Sequence, residues 1–154
     1  MSKVVVADST CLIGLARIGR LQILQQLFGE ILVVPAVFRE TVTDGRGRPG
    51  AAEIAGASWI RTVAIENRDD ARRLAQTLGA GEAESIVLTA EQHADFLVLD
   101  DRHARATALT RGLPVVGTVA LLVRAESKGL LPHAAEALED LRRVGFWFVE
   151  GDVS

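Results

Sequence analysis

The chain has 154 residues, of which 49% are hydrophobic and 24% are charged, and its formal net charge is −3 at pH 7. This length and apolar content suit one globular domain with a proper core, so we expect a single domain over residues 1–154. The net charge excludes a polycation that coats nucleic acid through bulk attraction, and any nucleic-acid contact must therefore be local.

Cysteine content and hydropathy predict the compartment. Cys11 is the single cysteine, which excludes an internal disulfide. Residues 1–10 contain no long apolar run that ends in a cleavage site. No stretch approaches the roughly 18 apolar residues that a membrane-spanning helix needs. We expect a cytoplasmic protein that makes no membrane contact.

The first half of the chain alternates apolar runs with helical patterns. Residues 4–7 are an apolar, largely β-branched run, which predicts a strand, and Leu12, Leu15 and Ala16 then follow with helical spacing. Residues 44–50 form a basic, glycine-rich loop. The other elements predicted here are a helix over 21–28, a strand over 31–34, a helix from Pro35 to about 43, and a strand over 59–65.

The second half continues the alternation. Gly79-Ala80-Gly81 is predicted to break the chain between two helices, over 69–78 and from 82 to about 92. The later elements are a strand over 96–99, a helix over 102–110, a strand over 114–117, helices over 119–128 and 133–143, and an edge strand over 146–149. Apolar strands separated by helices are typical of parallel sheets covered on both faces. We predict an α/β fold, a three-layer α/β/α sandwich around a mostly parallel sheet of about five strands.

Aspartates stand where predicted strands end. Asp8 directly follows the first strand, and Asp100 and Asp101 follow the fourth. In open α/β sheets the ligand crevice lies beyond these carboxyl ends. Asp8 alone could equally well cap the next helix, because aspartate is a common N-cap. Successive strand residues point to opposite faces, so only one of Asp100 and Asp101 can face the crevice directly, and the sequence leaves that choice open.

Glutamates on two helices extend this acidic set. Glu40 lies on the helix after the second strand, and Glu82 and Glu84 open the helix after the glycine pair. Glu82 and Glu84 flank the buried stripe of that helix on opposite sides, so periodicity does not choose between them. Converging carboxylates repel each other unless a cation joins them, and Mg²⁺ and Mn²⁺ prefer carboxylate oxygens. One cysteine and three scattered histidines give no zinc spacing.

Four motifs in this order resemble those of the PIN-domain ribonucleases, which include the toxin nucleases of bacterial toxin–antitoxin pairs. The match runs over nearly the whole chain and is most similar to a less-characterised PIN-like branch. The motifs are a first strand ending in Asp8 with Thr10 two residues on, Val34-Pro-Ala-Val-Phe-Arg-Glu40, Gly81-Glu-Ala-Glu-Ser-Ile86, and Leu97-Val-Leu-Asp-Asp-Arg102.

The resemblance implies an endoribonuclease that uses Mg²⁺ or Mn²⁺ to activate the water that hydrolyses RNA. It also implies a homodimer and a small antitoxin protein as a partner. Thr10 would be a supporting hydroxyl. The family's metal ligands correspond here to Asp8, Glu40, Glu82 and Asp101.

Two departures from the toxin pattern leave alternatives open. Leu99 stands where the toxins have a threonine, so Asp100 could share or take the role of Asp101. The acid that opens the later helix is more often aspartate in the toxins, which keeps Glu84 as an alternative to Glu82.

RNA would need basic groups near these acids, because phosphate contacts supply most of the affinity. The candidates are Arg46 and Arg48 in the glycine-rich loop, with Arg102 and Arg105 beside the acidic strand end. An ordinary surface charge explains each arginine taken singly.

Other functions fit less well. A CheY-like receiver needs an acidic pair after the first strand and an aspartate after the third, where this chain has Arg61 and Thr62. A haloacid-dehalogenase phosphatase needs Asp-x-Asp after the first strand, and Thr10 occupies the second position. The remaining alternative is a PIN-like binding or regulatory module that has lost turnover.

Overall fold

A parallel sheet forms the centre of the computed structural model, which describes residues 3–146. The strand order is β3-β2-β1-β4-β5, and each neighbouring pair is parallel. The predicted parallel sheet is therefore confirmed. The strands are β1 Val5–Ala7, β2 Ile31–Val33, β3 Ile60–Thr62, β4 Phe96–Val98 and β5 Val115–Val116.

Helices cover the sheet and complete the predicted three-layer α/β/α sandwich. They are α1 Ser9–Arg17, α2 Gln22–Phe28, α3 Pro35–Phe38, α4 Ala51–Ala55, α5 Arg68–Leu74, α6 Ala80–Glu91, α7 Arg102–Thr110, α8 Thr118–Ser127 and α9 Ala134–Arg143. Among them, α1 contacts α4 and α9, and α9 contacts α8, whereas α6 contacts α5 and α7. No helix within the described residues is long and apolar enough to cross a membrane.

The apolar runs of the sequence become the central strands because both faces of the sheet are covered. All of β1 is 0% exposed, and Leu97, Val98 and Leu99 at the end of β4 are equally buried. By contrast, Arg61 and Thr62 on the edge strand β3 are exposed. The core therefore lies around β1 and β4, and the residues that follow these two strands emerge from its most buried part.

The strand order reverses at β1, which lies between β2 and β4. In such sheets the crevice for a ligand opens where the connections diverge, beyond the carboxyl ends of the strands. The Asp8 backbone N–H donates to the Val98 carbonyl at 3.1 Å, so the ends of β1 and β4 lie side by side. The fold thus brings the predicted strand-end aspartates to one edge.

Three local predictions need correction. The helix after β2 changes from α3 into a π-helical segment, Arg39–Thr43. The unpredicted α4 begins after Gly50, whose left-handed backbone (φ 95°) suits glycine. The predicted break at Gly79-Ala80-Gly81 is wrong in its position, because α6 begins at Ala80 and includes Gly81. The edge strand predicted over 146–149 lies outside the described residues beyond Phe146.

Candidate active site

Asp8 is a buried carboxylate, 4% exposed, at the carboxyl end of β1. It occupies the N-cap position of α1, yet its side chain makes no capping hydrogen bond. Its Oδ1 is buried and has no hydrogen-bond partner among residues 3–146. Burial raises the pKa of Asp8 to about 7; the Ser9 N–H opposes this rise, and the carboxylates of Glu82, Glu40 and Asp100 add to it. A carboxylate in this state gains from a proton or a cation.

Glu40 enters the site from the π-helical segment, and its carboxylate rests against Gly81 of α6. A Cβ added to Gly81 would lie 2.8 Å from Oε1 and 3.1 Å from Oε2 of Glu40. Helix α3, which leads into Glu40, packs against α6. The missing side chain at Gly81 therefore makes room for Glu40 at the N-terminus of α6, where the helix dipole favours an anion.

Glu82 lies half-buried in the first turn of α6. Its Oε1 accepts a hydrogen bond of 3.1 Å from the Gly79 N–H, which fixes the start of the helix. Burial raises the pKa of Glu82, the Gly79 N–H opposes the rise, Asp101 and Glu40 add to it, and His103 opposes it weakly. Glu82 is thus close enough to Glu40 and Asp101 for both charges to raise its pKa.

Glu84 faces elsewhere. Together with Arg68 and Arg72 it lines a cavity of about 130 Å³ between α5 and α6. Its charge contributes to the pKa shift of neither Asp8 nor Glu82. Of the two glutamates that periodicity left open, the fold brings Glu82 to the other acids and turns Glu84 towards α5.

Asp100 is held by the first residue of α8. Its Oδ1 accepts from the Thr118 N–H at 2.8 Å, and its Oδ2 accepts from the Thr118 hydroxyl at 2.5 Å. Its charge also raises the pKa of Asp8. Asp100 therefore lies close to Asp8, at the end of β1.

Asp101 is the N-cap of α7, and its Oδ2 accepts from the Ala104 N–H at 2.9 Å. It is exposed, and its charge acts on Glu82. The two neighbouring aspartates therefore both accept hydrogen bonds from the first turn of a helix. The charge of Asp100 acts on Asp8, and that of Asp101 acts on Glu82. The sequence had suggested that only one of them could face the crevice directly.

The acidic cluster, defined as Asp8, Glu40, Glu82, Asp100 and Asp101, is loosely spaced. Within residues 3–146, no three Asp, Glu, His or Cys side chains stand close enough together to hold one metal ion. Like charges repel, and internal hydrogen bonds occupy Glu82, Asp100 and Asp101. The donors are all oxygens and Asp8 Oδ1 lacks a partner, so the set fits a hard divalent cation once side chains rotate.

The other predicted site residues near the sheet edge lie on helix starts. Thr10, on the first turn of α1, is half-buried two residues after Asp8. Arg102 is the exposed first residue of α7. Arg105 Nη1 donates to the Leu99 carbonyl at 3.2 Å, so this side chain also braces the end of β4.

Arg46 and Arg48 are both exposed, in a loop that begins at Gly45, where an added Cβ would lie 3.2 Å from the Glu40 backbone carbonyl oxygen. Their loop ends at Gly50, where an added Cβ would lie 3.1 Å from Ala16 Cβ, near the far end of α1. At 1.5 Å per residue, Ala16 is about 12 Å along α1 from Asp8. The loop therefore reaches from beside Glu40 to the far end of α1.

Sequence reasoning missed Gly81 and Thr118 as contributors to the site. Gly81 was interpreted as a helix breaker and as the start of the motif over residues 81–86, and its contact with Glu40 was not predicted. Thr118 follows a predicted strand and a glycine, which is where a helix-capping residue type is expected. A cavity of about 610 Å³, lined in part by Gln22, Gln25 and Trp59, is lined by no residue of the acidic cluster.

A family model described as a PIN domain matches residues 4–153. None of the curated proteins matches the chain.

Proposed function

Because the chain belongs to the PIN-domain family, we propose that it is an endoribonuclease that hydrolyses RNA with the help of Mg²⁺ or Mn²⁺. PIN domains are in general nucleases and typically use divalent metal ions. The choice of RNA over DNA, the choice of ion and the residues that bind it belong to the proposal.

One observation carries the proposal most directly. Asp8 is buried, ionisable and without a partner for Oδ1, and the charges of Glu82, Glu40 and Asp100 all act on it. A fold that needed Asp8 only for packing would gain by replacing this carboxylate with an apolar or neutral group. A cation bound among these acids would offset their mutual repulsion and would provide the partner that Asp8 Oδ1 lacks.

The roles of the side chains follow from their surroundings. Asp8 and Glu40 are the proposed first ligands, because the buried Oδ1 of Asp8 accepts no hydrogen bond from the described part of the chain and Glu40 faces the start of α6. The charge of Glu82 acts on Asp8, and those of Asp101 and Glu40 act on Glu82, so Glu82 and Asp101 complete the proposed set, with Asp100 beside Asp8. When bound, the divalent ion supplies an activated water and offsets charge on the phosphodiester.

The RNA backbone requires positive charge beside this acidic edge. Arg102 is exposed next to Asp101, and Arg105 braces the same strand end. Arg46 and Arg48 are the proposed contacts for more distant phosphates along α1. Thr10, near Asp8, is the proposed hydroxyl that supports the site.

The direct test combines binding and turnover. We expect calorimetric titration with Mn²⁺ to detect binding, and a fluorescent single-stranded RNA to be cut with Mn²⁺ and left intact with EDTA. Asp8→Asn should abolish both signals, whereas Asp69→Asn, at a residue whose side chain is 86% exposed, should change neither. Mn²⁺ binding without cleavage across a panel of RNA and DNA would refute the nuclease and leave a binding module.

A toxin role is a finer part of the proposal and rests on the family resemblance alone. It predicts a short neighbouring reading frame that encodes an antitoxin, together with growth arrest when the chain is expressed without it. A homodimer and a cytoplasmic location are predictions of the same kind. Light scattering on the purified protein tests the first, and cell fractionation tests the second.

A further inference from the structure

Thr118 holds Asp100 through two hydrogen bonds, although it lies on neither the strand before Asp100 nor the helix after it. The two residues are 18 positions apart, and both carboxylate oxygens are engaged, Oδ1 by the Thr118 N–H and Oδ2 by its hydroxyl. Two donors on one residue fix both the position and the rotation of a carboxylate. Hydrogen bonds to a charged acceptor are about twice as strong as neutral ones.

The place of Thr118 in the fold fixes the position of these two hydrogen bonds. It is the first residue of α8, which follows β5, and β5 is the neighbour of β4. It is 1% exposed, so water has little access to replace its hydroxyl. The Thr118 side chain also interacts with the buried thiol of Cys11, on α1. Thr118 therefore links the ends of β4 and β5 to the helix that begins beside Asp8.

We propose that Thr118 is a positioning residue of the metal site, whose hydroxyl and N–H hold the Asp100 carboxylate beside Asp8. The inference rests on the proposed function, because it concerns the affinity of the same site for a divalent ion. Thr118 itself makes no contact with the ion. It acts through Asp100, in the way that groups behind a metal ligand orient that ligand.

The test compares three threonine variants by calorimetric titration with Mn²⁺ at pH 8. Thr118→Val removes the hydroxyl at nearly constant volume, and we expect the Kd for Mn²⁺ to rise at least about 10-fold, in the range typical of groups behind metal ligands. Thr118→Ser keeps the hydroxyl and should stay within about 3-fold of the original protein. Thr89→Val is the matched control, because Thr89 is 1% exposed and its hydroxyl donates to the Ser85 carbonyl at 2.7 Å.

A double-mutant cycle distinguishes a positioning role of Thr118 from a general effect on the stability of the protein. If Thr118 acts through Asp100, Thr118→Val should change the Kd much less when Asp100→Asn is already present. Urea unfolding of every variant shows whether it is folded, and Thr118→Ala replaces Thr118→Val if the valine variant is not. A full effect of Thr118→Val in the Asp100→Asn protein would overturn the proposed route.

The outcomes also separate this inference from the proposed function. If Thr118→Val binds Mn²⁺ as tightly as the original protein while Asp8→Asn binds none, the positioning role is wrong and the metal site stands. If the original protein binds Mn²⁺ but cuts no RNA, the nuclease is wrong and the Kd values still decide the role of Thr118. An original protein that binds no Mn²⁺ overturns both.

Discussion

The ends of β1 and β4 carry the same local sequence pattern, an aspartate between a buried strand and a helix, yet the two aspartates behave differently. Asp101 accepts the N–H of Ala104 and caps α7 while it remains exposed. Asp8 stands at the N-cap position of α1, makes no capping hydrogen bond and is 4% exposed. The same residue type at the same local position therefore stabilises a helix in one case and has a buried, unsatisfied oxygen in the other.

The difference shows how a functional carboxylate can be told from a structural one. A cap contributes roughly 1 kcal/mol to stability when its oxygen accepts a helix N–H. A buried oxygen without a partner costs free energy instead. Asp8 thus lowers the stability of the metal-free fold, whereas Asp101 raises it. Function is expected where the local rule for stability is broken.

The largest expected effect is on metal affinity, where the two aspartates should separate most widely. Asp8→Asn should weaken Mn²⁺ binding by more than about 100-fold, beyond the range for groups behind a ligand. Asp101→Asn should weaken it by about 10-fold, because Asp101 lies on the outer side of the cluster. Calorimetric titration at pH 8 measures both, and equal losses would remove the distinction between the two strand ends.

The stability of the metal-free protein should reveal the same contrast as a function of pH. Burial raises the pKa of Asp8 to about 7 from its ordinary value of 3.8, so the protonated form favours folding. This stabilisation is complete below about pH 4 and is lost as the pH rises through 7. Relative to the original protein, Asp8→Asn should therefore gain about 2–3 kcal/mol of unfolding free energy between pH 5 and pH 8.

Asp101→Asn is the matched control for that measurement. Asparagine caps helices about as well as aspartate, so its unfolding free energy should stay within about 0.5 kcal/mol of the original at both pH values. Urea unfolding in EDTA at pH 5 and pH 8 gives, for each of the two variants, the difference in unfolding free energy from the original protein at both pH values. A pH-independent difference between Asp8→Asn and the original protein would mean that Asp8 is ionised in the native state throughout this range.

The two glutamates of α6 extend the comparison to a second pair of neighbours. Glu82→Gln should weaken Mn²⁺ binding by about 10-fold or more, because Glu82 lies among the acids. Glu84→Gln should change it by less than about 2-fold, since Glu84 faces the cavity beside α5. Both substitutions keep side-chain volume and helix propensity nearly constant. The reverse ranking would show that α6 presents its other face to the metal.

The smallest expected effect comes from filling the space beside Glu40. In Gly81→Ala the new Cβ would meet Glu40 Oε1 at 2.8 Å, and the flexible glutamate can move away. Mn²⁺ affinity should fall several-fold, up to about 10-fold. Unfolding free energy should stay level or rise by up to about 1 kcal/mol, because alanine favours a helix.

Gly79→Ala is the control for the glycine prediction. A Cβ at Gly79 would lie 3.4 Å from Glu82 Oε1, an ordinary contact, and should leave Mn²⁺ affinity nearly unchanged. A loss of stability in Gly81→Ala would contradict the prediction, because it would show that Val37, also 3.1 Å from the new Cβ, cannot yield.

Much of the fold could be predicted from local pattern. The helix over Arg102–Thr110 has the predicted bounds, and the central strands differ from the prediction by about one residue. Helix α4 was missed because Ala51–Ala55 is too short to show a helical period. Gly81 was mistaken for a break because the sequence does not show that Glu40 will press against it.

The sequence by itself determined the order of strands and helices and the presence of acids at strand ends, because both follow from periodicities of a few residues. Tertiary structure alone decided which acid is buried, which is capped and which faces its neighbours. Asp100 meets Thr118 across 18 residues, and Glu40 meets Gly81 from a different layer of the sandwich. Such contacts depend on how elements pack, and that information lies in no single stretch of the chain.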